Sequence, residues 1–221
     1  MKMVWDQTSE KLYETGIEQV ALFQQANGAF TKGVAWNGVT ALNITPSGAE
    51  PTPLYANNRK YVTLMSVEEL GGTIEAYTYP EEWAECDGSK AIVPGVYLGQ
   101  QGRKHFGLAG KTLIGNDETG TKYGYKLHLI YDGLASPSEQ SNATVNDSPE
   151  AKTMSWEFST TPVAVNIAGC EPTSYICIDS TKVDAEKLAA LEAIIYGSED
   201  QEPRLPLPDE VAELMGGTAA G

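Results

Sequence analysis

The 221 residues carry 15 Lys and Arg against 30 Asp and Glu, a formal net charge of -15 with a pI near 4.5. Gripping nucleic acid requires clustered cations that neutralise phosphates and release counterions, so this balance argues against a DNA-binding or RNA-binding role. With 41% apolar residues the chain can bury a real core, and at roughly 150 residues per domain it has room for one domain with appendages.

In chain order, the opening MKMVWDQTSEKLYETG has no apolar h-region, and no run approaches the ~18 apolar residues of a membrane span, so a protein made in the cytoplasm is expected. The segment from Thr45 to Asn58 holds Pro46, Pro51 and Pro53 without an apolar period and reads as an extended functional loop. Lys60 to Met65 and Thr73 to Tyr79 read as strands bounded by turn residues. Pro80 with Glu81 and Glu82 suits the first turn of a short helix at best.

Further along, Tyr125, Leu127, Leu129 and Tyr131 alternate with Lys126 and His128, the period of a half-buried strand. Met154, Trp156 and Phe158 repeat the pattern against Ser155, Glu157 and Ser159. Thr161 to Ile167 and Ser174 to Ile178 are two more strand candidates, the latter placing Cys177 as a small core hydrophobe. Asp184 can cap a helix whose Leu188, Leu191, Ile194 and Ile195 form one apolar stripe for a sheet, with Gly197 ending it in a left-handed conformation. The tail from Ser198 to Gly221 reads as an arm: Leu205, Leu207, Val211 and Leu214 have nothing local to pack on, and the last six residues fray.

Charge is uneven along the chain. Ser66 to Asp87 holds seven acids and no base, while Arg103 to Lys126 holds five bases against Asp117 and Glu118. Two solvated faces would explain this. So would opposite patches that meet between subunits and set register in a cyclic assembly.

Catalytic and metal chemistry find little footing. Cys86, Cys170 and Cys177 show no CxxC spacing, and His105 and His128 are too scattered for a metal cluster, so neither a metal nor a cofactor is expected. Neither histidine has a GxSxG serine to serve, and the glycines from Gly99 to Gly110 form no phosphate loop. Glu81, Glu82 and Glu85 beside Tyr79 and Trp83 are the best approach to a glycosidase, but acids so closely spaced on a short helix do not oppose each other across a cleft. The chain is expected to be no enzyme.

Several unusual pieces occur in order: PSGAEPTPLYA at 46 to 56, IEAYTYPEEWAECDGS at 74 to 89, GQQGRKHFG at 99 to 107, IGND at 114 to 117, TVNDSPEA at 144 to 151, STTPV at 159 to 163 and DAEKLAALEAIIYG at 184 to 197. Together they resemble the major tail protein, the tail-tube subunit, of long-tailed bacteriophages with non-contractile tails. That resemblance implies a mainly β chain, an antiparallel β-sandwich or half-barrel of tail-tube type over residues 1 to 197, with one packed helix, an extended loop at 45 to 58 and a C-terminal arm at 198 to 221.

It also implies a virion protein, assembled in the bacterial host cytoplasm, whose hexameric rings stack into a tube for DNA ejection. Its partners would be itself, the tape measure protein, the tail terminator and distal tail proteins, and passing double-stranded DNA that is not bound tightly. Leu54, Tyr55, Trp83, Arg103 and Lys104 are the candidates for subunit interfaces. Glu75 and Glu157 are the candidates for the lumen, with Tyr77 or Trp156 in the scaffold behind. A tail-completion or connector protein of the same fold, and a monomeric carbohydrate-binding β-sandwich, are the alternative readings.

Overall fold

The structure is a computed structural model that describes residues 3–144 and 151–217. Its centre is one antiparallel sheet of eight strands. In spatial order these are β2 (Ala29–Ala35), β1 (Tyr13–Ala26), β9 (Phe106–Asn116), β10 (Gly120–Ala135), β11 (Met154–Thr160), β6 (Glu68–Ala76) and β3 (Val39–Gly48), while β12 (Tyr175–Asp179) pairs with the middle of β10, from Lys126 to Ile130. Two small hairpins stand apart, β4 (Pro51–Ala56) with β5 (Arg59–Met65) and β7 (Lys90–Val93) with β8 (Val96–Leu98). Three helices complete the fold: α1 (Trp83–Cys86), α2 (Ala185–Tyr196) and α3 (Pro208–Met215). The chain is thus mainly β and antiparallel, a single curled sheet rather than two stacked ones.

The curl follows from what the faces bury. Val20 and Leu22 of β1 share one apolar cluster with Ile74 of β6, Phe106 of β9 and Trp156 of β11, and Leu42 of β3 packs against it. Strands from opposite ends of a flat sheet could not meet this way. Three tryptophans fill the hollow: the Trp83 ring lies 4.7 Å from Trp36, 5.6 Å from Trp156 and 5.0 Å from Phe106, in tilted or edge-on arrangements that suit the ring quadrupoles. Trp36 Nε1 donates to the Thr78 carbonyl at 2.8 Å.

The other face of the sheet carries a second core. Leu127, Leu129 and Tyr131 of β10 meet Leu188, Leu191 and Ile195 of α2, as the two periodicities predict. Asp184 caps α2 by accepting from the Glu186 and Lys187 amides, each at 3.0 Å. Gly197 ends it at φ 81° but with an extended ψ of 168°, a pairing that favours glycine.

Three expectations are corrected here. The segment from Ser198 onward is no arm, because it folds back onto its own sheet. Leu205 is buried beside Phe30 and its amide donates to the Phe30 carbonyl at 3.0 Å, Tyr131 Oη donates to the Pro206 carbonyl at 2.9 Å, and α3 buries Val211. Leu205, Val211 and Leu214 find partners across the fold while Leu207 stays exposed, so the boundary at 197 divides nothing; of the frayed end, residues 218–221 lie outside the described residues. Thr161 to Ile167 is not a strand: Pro162 supplies no donor, only Val163 bridges to Thr173, and Asn166 bonds to Asp209 at 2.8 and 2.7 Å instead. Cys177 is exposed, since β12 turns Ile178 rather than Cys177 toward the core. Within TVNDSPEA, residues 145–150 also lie outside the described residues.

Candidate functional site

The 45 to 58 segment is strand, not loop. β3 and β6 pair as far as Gly48 and Glu68, and the ribbon resumes from Pro51 and Met65 to the tip. At the interruption Gly48 has φ 78°, and a Cβ there would sit 2.5 Å from the Val67 carbonyl oxygen, so the offset between the two halves requires glycine. At the tip Asn57 and Asn58 have φ 51° and 60°, the pair of positive values that a type I′ hairpin needs and asparagine tolerates. Pro51 and Pro53 are accommodated because each strand of a two-stranded ribbon has a free edge.

This ribbon projects without packing on its own subunit. Every residue of β4, and every residue of β5 except Thr63, is exposed. Leu54 stands opposite Val62 and Thr52 opposite Leu64, so Leu54, Val62 and Leu64 line one face, while Tyr55 and Met65 lie on the other at 70% and 69% exposure. Arg59 and Lys60 put two cations at the tip that form no ion pair among the described residues.

The other interface candidates fare differently. Trp83 is fully buried at the centre of the aromatic cluster, which removes it from any interface and from any sugar platform. Lys104 pairs with Glu85 of its own chain at 2.5 Å and holds that carboxyl below its ordinary range. Arg103 donates from Nη2 to the Asp87 carbonyl at 3.1 Å, its stem passing over Gly88, where a Cβ would lie 3.2 Å from the guanidinium carbon. Burial raises the Asp87 carboxyl and the Arg103 charge opposes that rise. The acidic and basic segments therefore meet here within one subunit, where α1 and the start of β9 come together, and not on separate edges.

Farther along the basic segment, Lys111 pairs with Glu192, and Lys126 with Glu14. These partners were beyond sequence reasoning, because Glu14 and Glu192 lie far away in the chain.

Glu75 and Glu157 share one face of the sheet. Ser155 pairs with Glu75 and Glu157 with Thr73, so the two acids are diagonal neighbours turned away from Ile74, Trp156 and Phe158. Glu157 is exposed and Glu75 half-buried. Of the four glutamates in strands β3, β6 and β11, Glu69, Glu75 and Glu157 stand on this face, and these strands hold no Lys or Arg. Trp156 does lie behind the acids, but Tyr77 does not: it is 54% exposed, beyond the end of β6.

Two exposed apolar features escaped sequence reasoning. The β7–β8 hairpin turns through Pro94 and Gly95, the latter at φ 82°, and exposes Ile92, Val93, Val96, Tyr97 and Leu98. Near the N-terminus Met3, Val4 and Trp5 are likewise exposed. The turn pair Pro-Gly between two apolar runs was the available signal for the hairpin.

Among the described residues no group of three or more His, Cys, Asp or Glu could hold a metal ion, and no helix is long and apolar enough to cross a membrane. No protein-family model matches the chain, and no curated protein was found to match it.

Proposed function

We propose that the chain is a structural subunit that assembles with copies of itself into stacked hexameric rings, the tail tube of a long-tailed bacteriophage through which DNA leaves the capsid. The observation that carries this reading is the projecting ribbon of β4 and β5. A two-stranded hairpin is at best marginally stable alone in water, yet this one exposes Leu54, Tyr55, Tyr61, Val62, Leu64 and Met65. Docking on a neighbouring ring gives those side chains a surface to cover and the free strand edges a partner.

The anionic wall of Glu75 and Glu157 supports the conduit part of the reading. DNA carries a negative charge about every 1.7 Å of axis, and a lumen that repels phosphate lets it slide where a basic lining would trap it. The tape measure, terminator and distal tail proteins are the partners such a tube would need.

Negative-stain microscopy of the purified protein tests the proposal. Wild-type protein at high concentration should form rings or tubes of even width. A variant in which Pro51 to Met65 is replaced by a short turn should remain a folded monomer, because nothing else packs on that ribbon. Tubes formed normally by the shortened variant, or wild-type protein that stays monomeric, would overturn the reading.

A further inference from the structure

The β3–β6 pair carries two unlike features at its opposite ends. At one end, past Gly48 and Glu68, the ribbon of β4 and β5 continues for roughly 20 Å at strand spacing. At the other, past Val39 and Ala76, the chain makes a corner that exposes Tyr77, Tyr79, Glu81 and Glu82. Extended β3 from Gly48 back to Val39 separates the two ends by roughly 30 Å.

The corner is held firmly from behind. The Tyr77 amide donates to the Gly38 carbonyl at 2.9 Å, the Thr78 carbonyl accepts from Trp36 Nε1 at 2.8 Å, and the Tyr79 ring stands edge-on to Trp156 with centroids 5.7 Å apart. Its outer side stays open. Tyr77 and Tyr79 are 54% and 45% exposed, and neither Glu81 nor Glu82 forms an ion pair among the described residues.

The ribbon is chemically its complement. Residues 51 to 65 include no acid, and their only charges, Arg59 and Lys60, stand at the tip opposite Ala56 and Tyr55. Guanidinium and ammonium groups are held by carboxylates and by aromatic faces, the two kinds of group that the corner presents. One subunit cannot make this match within itself: every residue of β4 is exposed, so the ribbon does not fold back along its own sheet toward the far end.

We infer that the ribbon tip of one copy docks on the 77 to 82 corner of the next, with Arg59 and Lys60 against Glu81 and Glu82 and with Tyr55 and the corner tyrosines covering one another. The two surfaces differ and lie at opposite ends of one strand pair, so the contact is heterologous. Every copy then points the same way, and the stack stays open at both ends. The inference rests on the self-assembly reading and adds to it the surface that receives the ribbon and the polarity of the stack.

Charge reversal tests it, with sedimentation and negative-stain microscopy at low salt as the readouts. A ribbon variant, Arg59→Glu with Lys60→Glu, and a corner variant, Glu81→Lys with Glu82→Lys, change only exposed side chains, and circular dichroism checks that both fold. Each should assemble about tenfold less than wild type, because like charges meet at the contact. A chain carrying all four substitutions should assemble as wild type does. General repulsion cannot give this pattern, since the corner variant is less negative than wild type and would then assemble better. Unimpaired assembly of either double variant, or no recovery with all four substitutions, would overturn the inference while wild-type tubes leave the proposed function standing. Wild-type protein that stays monomeric would overturn both, and closed pairs in place of growing stacks would overturn the polarity.

Discussion

Lys111 Nζ lies 2.9 Å from Glu192 Oε1, and Tyr125 Oη donates to the same oxygen at 2.7 Å, which ties α2 to the centre of the sheet. The ammonium also sits 4.4 Å from the centre of the Tyr125 ring. Lys111 is 8% exposed, so these partners stand where water would otherwise surround its ammonium. Lys111→Met removes one partner and leaves the other charge poorly solvated, at a cost of about 3 kcal/mol, whereas Lys111→Met with Glu192→Leu should recover most of that loss. Urea unfolding of the two variants checks this; equal losses in both would show that the pair is not coupled.

Trp83 gives the second prediction. Trp83→Ala should cost about 3 to 5 kcal/mol through the cavity it leaves among Trp36, Phe106 and Trp156. Trp83→Phe should be milder, because it also removes a buried indole N–H that has no partner among the described residues. Both effects appear in thermal melts of the monomer. A Trp83→Ala variant with unaltered stability and defective assembly would return this residue to the interface.

The third concerns the anionic wall. Glu75→Lys exchanges an acid for a cation on strands that hold no other base, and in a ring the change is repeated in every subunit. Tubes of this variant should retain DNA at low salt and release it as salt rises, while wild-type tubes retain none, as read by co-sedimentation. Tight retention by the wild type would contradict a conduit whose lumen is lined by Glu75.

The fourth concerns pH. Burial pushes the His128 imidazole below its usual value of 6.5, helped by Lys126 and opposed by Glu14. Thr112 Oγ1 and Tyr175 Oη flank its ring nitrogens at 2.7 and 2.6 Å. Because the folded pKa is depressed, the unfolded chain takes up the proton first, and this contribution to stability is intact above about pH 6.5 and declines as pH falls toward the folded value. The difference in melting temperature between wild type and His128→Gln should therefore shrink between pH 7.5 and 5.5. A difference that grows instead would mean that the fold stabilises the imidazolium.

The elements that could be read from sequence are those with one covered face. β10, β11 and α2 announce themselves because Leu127 and Leu129, Trp156 and Phe158, and Leu188 and Leu191 recur at the period of their backbone. β1 does not, because Val20 and Leu22 enter one core while Ala21 and Phe23 enter the other, and burial on both sides erases the alternation. The ribbon had a local sign in Asn57 and Asn58, outweighed by three prolines that a free-edged strand tolerates.

What the sequence by itself determined is the mainly antiparallel β class, the capped helix after Asp184 and the acidic balance, since backbone period, capping and charge are local or additive properties. Only the tertiary structure decided that Trp83 is core and Leu54 surface, that Lys104 meets Glu85 and Lys111 meets Glu192, and that the C-terminal segment returns to Phe30. Periodicity shows that a strand has two faces, but which face is covered depends on the element that packs there. That element is often encoded a hundred residues away, where only the curl of the sheet brings it into contact.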